Sequence, residues 1–129
     1  MAELKYVGKP ARRVDALEKV LGTAKYTADY RLPGTLVARC LRSDVPHARI
    51  VRLDVTPALQ VPGVKAAITG EDFVNHGNFG YPVQDMYMLA HEHVRYVGEA
   101  IAAVAAENEA ALEAGLNAII WELEPLPGV

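Results

Sequence analysis

Few residues in this sequence could do chemistry, and they are dispersed. His91-Glu92-His93 sets two imidazoles at i and i+2. On an extended strand such residues share a face, so both could reach one metal ion. A third ligand would have to come from His47 or His76, both remote in the chain. The competing reading is a solvated lead-in to a strand. Ser43 and His47 share one connector and could pair as nucleophile and base, but no strained elbow surrounds Ser43, and local turn hydrogen bonding accounts for it better. Asp29, Asp44, Asp54, Glu71, Asp72 and Asp85 could work as paired carboxylates. They stand beside turns, where Asp ordinarily caps backbone N–H groups. Cys40 has no neighbouring His and falls on the apolar side of a strand, as a buried and inert thiol does. Gly77-Asn78-Phe79-Gly80 lacks the spacing and the following helix of a phosphate loop. These residues assign no catalytic, cofactor-binding or metal-binding position.

Composition excludes further classes. At 129 residues the chain is long enough for one domain and short for two, and 51% hydrophobic content suffices for a core. The formal net charge is -3, with basic and acidic residues interleaved, which is not a nucleic-acid footprint. The single cysteine excludes an intrachain disulfide and fits a reducing compartment. The charged N-terminus MAELKYVGKP is not a signal peptide, and AIAAVAA is too short to span a bilayer. A soluble cytoplasmic protein is expected. The final PLPGV follows directly on an apolar stretch and reads as a connection cut open, so one domain of a longer polypeptide is expected.

The elements that must position these residues centre on TLVARCLRSDVPHARIVRLDVTPAL. Residues 36–41 and 48–53 alternate as strands do, around a connector containing Pro46. An antiparallel hairpin with one apolar face is expected, which the rest of the chain must cover. Residues 1–11 read as an extended arm. Residues 12–20 carry Val14, Leu17 and Val20 at helical spacing, with Asp15 and Lys19 at i,i+4. One turn of helix and an irregular loop remain open there, ended by a left-handed Gly22. Thr56 as N-cap and Pro57 after it start a brief helix. Residues 64–69 follow as a strand, then a short helical turn at 70–74. Residues 75–84, NHGNFGYPVQ, form the clearest loop and the expected mobile segment. From Val94 the alternation runs into the apolar residues 100–106, read as a strand buried on both faces, although alanine permits helix. Asn108 caps a helix over 109–118 with Ala111, Leu112, Gly115, Leu116 and Ile119 in one stripe. Close packing on the sheet would explain Gly115. Residues 119–123 close as a strand. The fold class is mixed α/β (α+β type), with one sheet of four to five strands, one main helix and short helices.

Several blocks in order carry more than any single motif: LRSDVPHARI, then PGV at 62–64, then VRYVGEAIAAV at 94–104. From Val7 to Val129 the chain resembles the N-terminal α/β hammerhead domain of the molybdenum hydroxylases, the xanthine dehydrogenase, aldehyde oxidase and carbon monoxide dehydrogenase family. The resemblance implies an arm and lead-in over 1–34 and a hammerhead core over 35–129. It implies part of an oxidoreductase large subunit that holds molybdopterin and hydroxylates aldehydes, N-heterocycles or CO. Iron–sulfur (2Fe-2S) and FAD domains or subunits would be the partners. The pterin-holding loops and the glutamate base would lie beyond this segment, which is expected to be inert in isolation. A homo-oligomer is expected where faces built for partners are exposed, and the 75–84 loop could tune substrate access. The alternatives are a stand-alone binding module reusing the fold and a hydrolase using Ser43 and His47.

Overall fold

In the computed structural model, which describes residues 5–128, the two extended runs become β1 (Val37–Arg42) and β2 (Ala48–Asp54). They do not pair with each other. The other strands are β3 (Val64–Thr69), β4 (His93–Val94), β5 (Ala100–Ala106) and β6 (Ile120–Pro125). They form two antiparallel three-stranded sheets, ordered β1-β5-β3 and β4-β2-β6. The expected hairpin and the expected single sheet of four to five strands are thus both corrected. Alternation reports that a run is extended and which face it buries, but not which edge it pairs with. The connector between β1 and β2 is bonded elsewhere: Ser43 N donates to Glu99 O at 2.9 Å, and Gly98 N to Ser43 O at 2.8 Å.

The alanine-rich β5 is a strand because both its faces are covered. Ala102, Val104 and Ala106 join one core with Ala58, Ala111, Leu112 and Ile119. Ile101, on the opposite face, joins a second core with Ala90 and Val94. Leu53 and Trp121 pack against both clusters. A strand buried on two sides satisfies its backbone in the sheet while its side chains leave water, and this overrides alanine's weak strand propensity.

Three short α-helices accompany the sheets: α1 (Ala16–Leu21), α2 (Thr56–Leu59) and α3 (Glu109–Ala118). In α3 the Asn108 Oδ1 accepts from Ala111 N at 2.9 Å, the cap the sequence indicates. In α2 the helix starts at Thr56 itself, not after it. The N-cap position is Val55, which has no side-chain cap; one residue earlier, Asp54 Oδ1 accepts from Thr56 N at 2.9 Å, and hydrogen bonding from the Thr56 side chain and then its main chain holds the Asp54 carboxyl below the usual carboxylate range. The helical turn expected at 70–74 is a 3-10 helix, Gly70–His76, which takes Asn75 and His76 out of the loop. The single strand expected from Val94 to residue 106 is broken between β4 and β5.

The chain divides into two compact units, Met1–Pro33 and Gly34–Val129. In the first, α1 is shorter than the 12–20 segment; Asp15 pairs with Lys19 at 2.6 Å, and Gly22 ends it at φ 70°. Arg13 and then Lys19 hold the Asp15 carboxyl below its usual range. Of the arm expected over 1–11, residues 1–4 lie outside the described residues, and Lys9 N donates to Tyr6 O at 3.3 Å, a turn rather than extended chain. No helix of the described residues is long and apolar enough to cross a membrane.

Gly115 faces the sheet at close range. A Cβ there would stand 2.8 Å from Val64 Cγ2 and 3.1 Å from Val104 Cγ1, both on stiff β-branched side chains. Gly115→Ala gains about 1 kcal/mol of helix propensity but forces overpacking that costs about 1–3 kcal/mol. The variant is expected to melt below the wild type in thermal denaturation. An unchanged or higher midpoint would show that the helix can shift freely.

Candidate functional site

Two of the three motif blocks that carry the resemblance, LRSDVPHARI and VRYVGEAIAAV, meet at one corner. After β4 the chain makes a turn closed by Glu99 N donating to Tyr96 O at 3.2 Å, with Gly98 at φ 88°. A side chain there would be strained, and glycine is not. The turn carries the chain from one sheet into the other. Arg42 Nη1 donates to Gly98 O at 2.7 Å, and the Ser43 main chain bonds Gly98 and Glu99 as given above.

At the centre is Glu99, whose side chain is only 5% exposed. Its Oε2 accepts from Arg95 N at 2.6 Å, and its Oε1 accepts from Arg95 Nε at 3.1 Å and Nη2 at 2.7 Å. Hydrogen bonding to Glu99 raises the Arg95 pKa above its ordinary value against an opposing loss of hydration, so the guanidinium stays cationic. Its remaining arm, Nη1, donates to Asp85 O at 2.7 Å, and its face lies 4.6 Å from the centre of the Tyr87 ring. Neither Arg95 nor Glu99 stood out as a candidate in the sequence. The available signal was an acid directly before a strand apolar on both faces, with an arginine four residues upstream.

His91 and His93 do not share a strand face: Glu92 takes φ 58°, and His93 N donates back to His91 O at 2.6 Å. His93 enters β4 opposite Arg49, while His91 Nδ1 lies 3.5 Å from Glu71 Oε1. His47 Nδ1 meets Pro127 O at 2.7 Å rather than Ser43. The buried Ser43 Oγ donates to Val45 O at 2.8 Å and accepts from Val45 N at 3.1 Å. Asp29, Asp54 and Asp72 cap Tyr26 N, Thr56 N and Thr69 N. Cys40 is half-buried on β1, opposite Ala103.

The described residues show no metal-ligand cluster. Among them no group of three or more His, Cys, Asp or Glu gathers around one point, and no buried side-chain nitrogen or oxygen lacks a partner. Space is modest: a cleft of about 200 Å³ runs beside the 3-10 helix, lined by Phe73, Val74, Tyr87, Met88, Leu89 and His91.

Comparison with known proteins gives the family. The model of the aldehyde oxidase and xanthine dehydrogenase a/b hammerhead domain matches residues 21–127. The chain is 43% identical over 123 residues to the nicotinate dehydrogenase large molybdopterin subunit of Eubacterium barkeri, covering 95% of this chain and 29% of that protein. It is 34% identical over 126 residues to the xanthine dehydrogenase molybdenum-binding subunit of Escherichia coli O157:H7, covering 89% and 17%. The crystal structure of quinoline 2-oxidoreductase from Pseudomonas putida 86 superposes with a TM-score of 0.83 at 33% identity, over 93% of this chain and 16% of that one. The chain belongs to the molybdenum hydroxylase family, of which it carries the hammerhead domain. It spans between about a sixth and three tenths of the length of these relatives.

Ser43→Ala is expected to lower stability by about 1 kcal/mol, the worth of an ordinary internal hydrogen bond. It should leave hydrolysis of generic esters at the background rate. Thermal denaturation and an ester assay check both, and loss of a real ester turnover with stability intact would make Ser43 a nucleophile.

Proposed function

We propose that this chain is the N-terminal domain of the large, molybdopterin-binding subunit of a cytoplasmic oxidoreductase. The arm and lead-in span residues 1–34 and the hammerhead core spans 35–129. The whole enzyme would hydroxylate carbon centres of aldehydes or N-heterocycles, or oxidise CO, as the family's members do. The reading is supported above all by the hammerhead match over residues 21–127 together with relatives that are several times longer. In the complete subunit the pterin would be held by the remaining polypeptide. Electrons would leave through 2Fe-2S and FAD groups on partner domains or subunits. The domain's own part is architectural, a reading supported by its buried side-chain nitrogens and oxygens, which all have partners among the described residues.

The segment of residues 77–88 is the place where this domain would touch substrate traffic. Phe79, Tyr81, Val83, Met86, Tyr87 and Met88 are all exposed within it. Such a concentration of exposed apolar groups marks a contact surface, and we read it as bordering the substrate's approach in the full enzyme.

Metal analysis of the natively purified complex is expected to return molybdenum together with the polypeptide that carries this domain. An assembled complex without molybdenum would count against the reading. Expressed alone, the domain is expected to self-associate through its exposed apolar groups; a monomer in light scattering at high concentration would contradict this.

A further inference from the structure

We propose that Arg95 is a positioning residue that locks the 77–88 loop in one arrangement against the turn between β4 and β5. The loop closes on itself through one pair of backbone bonds, Phe79 N to Met86 O and Met86 N to Phe79 O, each 2.9 Å. That pair alone leaves a small two-bond ladder carrying exposed apolar side chains, and local structure of that kind opens readily. From outside the loop comes Arg95, with a hydrogen bond to the Asp85 carbonyl and its cationic face on the Tyr87 ring.

What makes this a clamp is that its other end cannot move. Glu99 is anchored by its main chain, with N to Tyr96 O and O to Ser43 N, and by a carboxylate that faces Arg95 three times. A planar guanidinium can face a carboxylate along one edge, offer another N–H to a carbonyl and stack on an aromatic ring at once. A lysine ammonium cannot meet all three demands. The consequence for substrate rests on the reading of the loop given above; the clamp itself does not.

The experiment uses the complete enzyme carrying Arg95→Lys, and separately Arg95→Met with Glu99→Gln. The double variant removes the clamp without leaving a buried carboxylate unpaired. Chymotryptic cleavage at Phe79 and Tyr87 reports loop opening, and both variants are expected to be cut about tenfold faster than wild type. With molybdenum content unchanged, KM for the enzyme's substrate is expected to shift about fivefold while kcat stays within about twofold. Cleavage at the wild-type rate in either variant overturns the clamp. Faster cleavage with unaltered KM and kcat upholds the clamp and overturns the reading of the loop as a border of substrate approach. Loss of molybdenum and kcat in parallel, without faster cleavage, makes Arg95 a folding residue and also overturns the proposal. If the double variant fails to assemble, Arg95→Lys, which keeps a cation on Glu99, decides by the same readouts.

Discussion

A carboxylate has been taken out of water at the point where the chain passes from one sheet to the other. Taking a carboxylate out of solvent costs several kcal/mol, which attraction to a partner offsets only with good geometry and satisfied lone pairs; the partner, Arg95, itself stays exposed. Glu99 meets that demand with three donors from a single residue, Arg95, four positions earlier. The pair spans the turn at which β4 and β5 part company. Because Ser43 bonds the main chain of Gly98 and Glu99, the same arrangement dictates where β1 ends and the chain leaves for β2.

Away from the corner the domain is held by small residues rather than large ones. Alanines at 102 and 106 on β5, Ala111 on α3 and Gly115 let α3 and its sheet approach until Val64 and Val104 fill the space left by a missing methyl. Close approach of this kind gives dense dispersion contacts and little tolerance for added volume. The ion pairs around the rim, Arg39 with Glu109 and Glu113, Lys65 with Glu107 and Arg49 with Glu124, are exposed. Pairs in water contribute little individually; their effect is to keep the rim polar while the interior is apolar.

Acids that might have done proton chemistry cap backbone groups instead, Ser43 closes a turn, and His47 holds the segment that follows β6 through the Pro127 carbonyl. The 77–88 loop presents six exposed apolar side chains, Phe79, Tyr81, Val83, Met86, Tyr87 and Met88. The Arg95–Glu99 pair stands between this loop and the turn that leads into β5.

Much of this was legible in the residues. Asn108 before a helical stripe, Gly22 after one, and a run apolar on both faces each announce themselves, because capping, left-handed backbone and side-chain period are set within a few residues of the chain. Ordered blocks such as LRSDVPHARI and VRYVGEAIAAV identify the family for the same reason: they are contiguous. Strand partners were not legible. β1 and β2 look like a hairpin from their alternation, yet each pairs with a strand distant in sequence, and the HEH imidazoles are separated by a backbone turn at Glu92. Nor does a local pattern disclose that Glu99 is buried, that Arg95 answers it, or that its last N–H holds a loop ten residues back. Edge pairing and the desolvation of a charge depend on what the folded chain brings from elsewhere, so they are decided only when the whole domain closes.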